Sequence, residues 1–313
     1  MSAPRPVLVT GGAGFIGSHL VEALVARGDR VTVIDNLATG ARENLAQVAG
    51  AFEWRLASLG QMLRAGDLDV AAYDVIFHLA ANPYIPPSVE KPAYDYDANL
   101  HTTFLLLEAL RQAGRRPMLV NTSSAAVYGN PARLPIRETD PTVPISPYGV
   151  SKLGAERYVA VFSELYGLRA VSLRLFSVYG PRQRKQVVFD LLTRLRAEPT
   201  QLEVLGDGSQ ARDFCYVGDV VQAMLLMTER APARGEAYNV AHGQAYTIAD
   251  LVRTLAQVCG LEPAIRYTGH IRPGDAERWE VDISALAALG YVPHTALPAG
   301  LSAIRDWFDA LPK

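Results

Sequence analysis

Residues 10–17 read Thr-Gly-Gly-Ala-Gly-Phe-Ile-Gly and lie between an apolar run at 7–9 and a helical pattern at 16–27. No other feature restricts the fold so tightly. A strand that turns abruptly into a helix needs Gly11 for the turn. Gly14 lets a phosphate group approach the backbone, and Gly17 lets helix and strand pack closely. The free amides of the first helical turn, at the positive end of the helix dipole, then form a seat for a pyrophosphate. The strand–turn–helix context is what makes such a glycine pattern a dinucleotide fingerprint. Phe15 and Ile16 complete the turn.

The next apolar run, 31–34, ends in Asp35-Asn36, eighteen residues beyond Gly17. A carboxylate there accepts hydrogen bonds from both hydroxyls of an adenosine ribose and repels a 2′-phosphate, so NAD is the expected cofactor rather than NADP. Runs at 75–79, 118–120 and 170–176 are apolar throughout, as strands covered on both faces must be. Helical patterns at 100–113 and 151–166 alternate with them. The expected fold is α/β: a Rossmann-type, doubly wound parallel sheet. After residue 176 the pattern loosens, with helical stretches at 217–228 and 248–258 and short ones near the end. This predicts a dinucleotide-binding domain over residues 1–175 plus about 214–240. A smaller C-terminal α/β lobe would take about 176–213 and 241–313.

Composition narrows the partners. Thirty basic against thirty-two acidic side chains leave a net charge of −2, so no basic excess exists to hold nucleic acid. Cys215 and Cys259 are the only cysteines and lack metal-ligand spacing. Neither a disulfide framework nor a metal site is expected, and a reducing compartment fits. No apolar run approaches the roughly 18 residues of a membrane span, and the start lacks a signal-peptide pattern. A cytoplasmic protein is expected.

Tyr148 and Lys152 open the 151–166 pattern after the prolines at 144 and 147. Four residues apart, they share a helix face. A tyrosine phenol ionises near pH 10. A neighbouring ammonium and a cationic nicotinamide favour the phenolate, which makes Tyr148 a candidate general acid/base and Lys152 a candidate ribose ligand. Ser123 and Ser124 follow the run at 118–120, at the carboxyl end of a strand, where ligands bind in open α/β sheets.

Together with His78-Leu79-Ala80-Ala81, Asn99, Arg212-Asp213-Phe214, Arg272-Pro273-Gly274-Asp275 and the segments 123–129 and 176–183, these residues resemble the extended short-chain dehydrogenase/reductase family. The resemblance is specifically to its nucleotide-sugar epimerase/dehydratase branch and runs nearly the whole length. It implies that Ser124, Tyr148 and Lys152 are the catalytic set. It places Gly11, Gly14, Phe15, Ile16, Gly17, Asp35, Asn36, Leu79, Ala80, Ala81, Asn99 and Ser123 around NAD. Arg212, Arg272 and Asp275 would hold the nucleotide diphosphate and its ribose. A homodimer built on the helices at 100–113 and 151–166 is also implied.

Three departures from the family pattern matter. Ser58 stands in the stretch where an acidic residue usually meets the adenine. Ser177 replaces a usual asparagine on the substrate side, and residues 82–88 are proline-rich. Dehydratases of the branch carry an acidic residue before the Val-Tyr-Gly motif, where this chain has Ala125 and Ala126. Alanines move no protons, so the implied reaction is epimerisation at C4 of a UDP-hexose, with a uronate or heptose 4-epimerase, a dehydratase using other acids, or an NAD-binding regulator on the same fold as the alternatives. Trp279, four residues after Asp275, falls where the family's sugar-pocket gate lies, and its bulk is expected to disfavour N-acetylated sugars.

Overall fold

The computed structural model describes residues 4–270 and 278–311. Seven strands form one sheet: β1 (Pro6–Thr10), β2 (Arg30–Asp35), β3 (Glu53–Leu56), β4 (Val75–His78), β5 (Met118–Ser124), β6 (Ala170–Leu175) and β7 (Arg234–Val240). Their order is β7-β6-β5-β4-β1-β2-β3, and every neighbouring pair is parallel. The chain winds outward in one direction from β1 and in the other from β4. This is the Rossmann arrangement, with a crevice at the switch point outside the carboxyl ends of β1 and β4.

Strand side chains alternate between two cores, as a pleated sheet requires. Val7, Val9, Val75, Phe77, Met118 and Val120 meet α1 (Phe15–Ala26), while Leu8, Ile76 and Leu119 meet α2 (Thr102–Gln112) and α3 (Pro147–Tyr166). After β6 come α4 (Val187–Ala197), α5 (Val217–Arg230), α6 (Ile248–Cys259) and α7 (Leu297–Asp309). Helix α5 joins α1 on the first face through Val220, Met224 and Met227. Helices α4, α6 and α7 share a third core that contains Leu192, Leu195, Leu251, Leu255, Leu301 and Ile304. Three two-stranded ribbons accompany this part, among them Ala211–Asp213 paired antiparallel with Ala245–Thr247. Among the described residues, no helix is long and apolar enough to cross a membrane.

Two strands lie outside the apolar runs. β3 closes one edge of the sheet and is half-exposed, so its residues Glu-Trp-Arg-Leu carry no continuous apolar signal. β7 contains Gly235 and Glu236 at an irregularity in its pairing with β6; its strand character comes from that neighbour. Helix α3 begins at Pro147 rather than at 151. Ser146 caps it by accepting a hydrogen bond from the Gly149 amide at 3.1 Å, with proline in the first turn.

Candidate active site

A crevice of about 1100 Å³ runs along the carboxyl edge of the sheet and into the C-terminal part. Gly11, Gly14, Phe15, Ile16 and Gly17 form its wall after β1. Gly11 adopts a left-handed φ of 72°. A Cβ on Gly17 would lie 2.2 Å from the Gly11 carbonyl oxygen, so glycine is obligatory there. Gly14 occupies the N-cap of α1 without offering a side-chain cap. The first amides of α1 are thus left for an external anion, and the cradle fits the pyrophosphate of a dinucleotide.

Asp35 ends β2 as the sequence predicts. Its carboxylate accepts hydrogen bonds from the Ala13 amide at 2.9 Å and the Leu37 amide at 2.7 Å. Burial raises its pKa, and the two amides oppose the rise. Each oxygen retains a lone pair for a ribose hydroxyl. Asn36 lines the wall beside it, and its side chain holds the Ala38 amide at 3.0 Å. Ser58 lies on the same wall at the N-cap of the helix Leu59–Ala65, its side chain uncommitted as a cap. Leu79, Ala80 and Ala81 continue the wall after β4.

Beneath them, the Ala80 amide donates to the Thr10 hydroxyl at 3.2 Å. Thr10 Oγ1 meets His78 Nδ1 at 2.8 Å, and His78 Nε2 meets Thr103 Oγ1 at 3.1 Å. Because Thr103 donates its proton to the Asn99 carbonyl, 2.6 Å away, the network assigns the His78 proton to Nε2. Burial, reinforced by the Lys152 charge, pushes His78 down to about 3. It is a neutral structural histidine.

Tyr148, Lys152 and Ser124 meet across the crevice from the glycine turn. The Lys152 ammonium donates to the Thr122 carbonyl at 2.9 Å and lies 6.0 Å from the Tyr148 ring centre. Ser124 hydrogen-bonds the Tyr148 phenol and also accepts from the Ala126 amide at 3.2 Å. Burial pushes the Tyr148 phenol up to about 12; the Ser124 bond opposes the rise and the Asp95 charge adds to it. Burial brings Lys152 down to about 8, with Asp95 opposing. The sequence suggests a phenol acidified by its lysine neighbour, but in the folded chain alone desolvation wins. The phenol needs a further positive charge beside it to ionise near neutrality.

One expected wall residue lies outside the crevice lining, and a second lines it while bonded to a protein partner. Asn99 is fully buried behind the crevice, in a π-helical turn at Tyr96–His101. Its amide nitrogen donates to Asp95 Oδ1 at 2.8 Å and to the Asn82 carbonyl at 3.1 Å, and its oxygen accepts from the Asn82 amide at 2.9 Å. The side chain fastens the 82–99 segment and is not part of the crevice lining. Ser123 touches the crevice, but its hydroxyl donates to Glu156 at 2.8 Å.

On the opposite flank, Ser177, Arg212 and Trp279 line the crevice. Ser177 has a φ of 23°, unusual for a residue other than glycine. The Arg212 guanidinium stacks 5.2 Å from the Trp279 ring centre. The indole also packs edge-on against Phe176 at 5.9 Å, so Trp279 serves wall and core together. Its buried Nε1 has no hydrogen-bond partner among the described residues. Arg272 and Asp275 lie outside the described residues. Sequence reasoning missed Tyr84, Arg182, Arg184 and Lys185, which also line the crevice. The proline-rich departure at 82–88 was the one signal that marked the first of them.

Residues 7–241 match the model of the NAD-dependent epimerase/dehydratase family. The chain is 36% identical over 310 residues to the UDP-glucose 4-epimerase of Mycolicibacterium smegmatis, covering 96% of this chain and 97% of that one. Among solved structures it superposes on a UDP-N-acetylglucosamine 4-epimerase from Methanobrevibacter ruminantium with a TM-score of 0.89 and 32% identity, covering 99% of each chain. It superposes likewise on the UDP-glucuronic acid 4-epimerase of Bacillus cereus, solved with UDP-glucuronic acid and NAD, with a TM-score of 0.85 and 30% identity over 97% and 99% of the two chains. A glycine cradle, an acid at the end of β2 and a Ser–Tyr–Lys set along one crevice agree with these matches: the chain belongs to the NAD-dependent epimerase/dehydratase family of nucleotide-sugar enzymes.

Proposed function

We propose that the protein interconverts UDP-glucose and UDP-galactose by epimerisation at C4. One observation carries this reading. The Ser124–Tyr148–Lys152 set faces the crevice, and the residues that follow Ser124, Ala125 and Ala126, are buried alanines with no proton to give or take. The site thus has groups for oxidising and reducing an alcohol, and nothing at that position for eliminating water.

NAD, held by the glycine cradle and Asp35, would supply the hydride acceptor and donor for C4, with no net redox change. The chain supplies the rest. Tyr148 takes the proton of the sugar 4-hydroxyl as the C4–H bond breaks, and Ser124 hydrogen-bonds the same oxygen. Lys152 keeps a positive charge near the phenolate and holds the nicotinamide ribose. Gly11, Gly14 and Gly17 seat the pyrophosphate, with Asp35 on the adenosine ribose. When the 4-keto sugar turns in the pocket and is reduced from its other face, Tyr148 returns the proton to the oxygen. Arg212 contributes charge for the substrate diphosphate.

Tyr148→Phe tests the assignment. Turnover should fall about 100- to 10 000-fold while the variant keeps its bound NAD. Incubating the parent protein with UDP-glucose, UDP-galactose, UDP-N-acetylglucosamine and UDP-glucuronate, followed by NMR, tests the reaction. Release of water or carbon dioxide, or preference for the acetylated or uronic sugars, overturns it. Trp279→Ala should raise the rate on UDP-N-acetylglucosamine relative to UDP-glucose by about tenfold or more, as expected when bulk is cleared from a sugar pocket. An unchanged ratio removes Trp279 from the specificity argument.

We also propose a homodimer. Val150, Tyr158, Val161 and Leu165 form an exposed apolar stripe along α3, next to Phe104 of α2, which packs on Tyr158 at 5.2 Å. Such a stripe suits a second copy of the same helix pair.

A further inference from the structure

Glu156 lies one helical turn beyond Lys152 on α3, and its side chain is only 4% exposed, as is that of its partner Arg174 on β6. Arg174 Nη2 donates to Glu156 Oε1 at 2.5 Å, and Arg174 Nε donates to Oε2 at 3.0 Å. The same Oε2 accepts from the Ser123 hydroxyl at 2.8 Å. Ser123 and Arg174 are directly paired across β5 and β6. One carboxylate therefore straddles two neighbouring strands, one of them next to the catalytic serine.

Arg174 reaches further. Its Nη1 donates to the Tyr128 hydroxyl at 2.6 Å and to the Glu138 carbonyl at 3.0 Å. Tyr128 passes its own proton to Asn239 Oδ1 of β7 at 2.7 Å. The short segment that begins at Ser124 is thus tied to one buried ion pair at both ends, through Ser123 before it and Tyr128 after it. The helix that carries Tyr148 and Lys152 is tied to the same pair through Glu156.

A buried ion pair is a poor stabilising device. Removing two charges from water offsets most of their attraction, and an apolar pair of similar volume is often as stable or more so. What such a pair supplies is fixed geometry, and catalysis is steeply sensitive to the placement of reacting groups. We propose that Glu156 and Arg174 are positioning residues for the reaction, setting the separation of Ser124 from Tyr148 through Ser123 and Tyr128.

The test rests on the 4-epimerase reading and compares Glu156→Leu/Arg174→Met, Glu156→Gln and Ser123→Ala with the parent. For each, kcat and KM for the preferred UDP-hexose, bound NAD and Tm are measured. The double variant is expected to remain folded and loaded, with kcat lowered about 10- to 100-fold and KM within about twofold, the pattern of a loss confined to the transition state. Glu156→Gln, which keeps an acceptor for Ser123, should recover most of that kcat. Ser123→Ala, which cuts the tie and leaves the ion pair, should also lower kcat at constant KM. If the double variant fails to fold, Ser123→Ala decides alone. Parental kcat in a folded double variant or in Ser123→Ala overturns the proposal, as does an activity loss that only follows the loss of Tm and bound cofactor. An active parent with unaffected variants refutes this inference alone, whereas a parent that epimerises none of the sugars refutes both readings.

Discussion

At Lys152 the chain keeps an ammonium group where burial opposes its charge. Its pKa is brought down to about 8 in the fold, from an ordinary value of 10.5. Between those two values the unfolded chain binds more protons than the folded one, so the contribution of this group to stability rises with pH across that window. Below about pH 8 the full cost of holding the charge is present. Lys152→Met removes that cost along with the Thr122 hydrogen bond. The Tm of the unliganded variant relative to the parent should therefore decline as pH rises from about 8 to about 10, as measured by thermal melts across that range. A pH-independent difference would show that burial does not lower the Lys152 pKa in the fold. The residues whose placement was legible from sequence are those fixed by backbone geometry or helical spacing: Gly11, Gly17, Asp35, and the Tyr148–Lys152 pair. The roles of Asn99 and Ser123 were not legible, because their side chains answer to partners distant in sequence, Asn82 for one and Glu156 for the other.

Among the elements, the proline-rich stretch that contains the helix Ile85–Glu90 faces the loop leading into α4 across the crevice. Lys185 from that loop places its ammonium 4.4 Å from the Tyr84 ring centre. A partly exposed cation–aromatic contact is worth about 0.5–1 kcal/mol. Lys185→Ala also removes a positive charge from the crevice lining and should raise KM for the nucleotide sugar by about two- to fivefold with kcat nearly unchanged, measured by steady-state kinetics. Tyr84→Phe, which keeps the aromatic face, should leave KM at the parental value. Elements with strong internal periodicity, such as α2, α3 and the central strands, are readable because their own residues announce the buried face. β3 and β7 are not, since an edge strand and a bulged strand take their conformation from the neighbour they pair with.

For the whole molecule, the stripe along α3 predicts its assembly. Val161→Glu/Leu165→Glu puts two carboxylates into the proposed dimer face, at positions 45% and 66% exposed in the single chain. The variant should sediment as a monomer at concentrations where the parent is a dimer, and a parent that is itself monomeric would remove the proposal. Sheet and crevice were legible as a whole from the alternation of strands and helices, but the division of labour among the cores was not. It depends on how α4, α6 and α7 close on one another far along the chain. The parallel sheet also has a second rim, where each strand begins. The connections that enter the strands there, such as Gly28-Asp29, Tyr73-Asp74 and Gly114, take no part in the crevice wall. At Gly114 an added side chain would meet open space. Gly114 is consequently neutral ground: a linker, a fluorescent reporter or a surface tether grafted there would leave the reacting edge untouched at the other end of the strands.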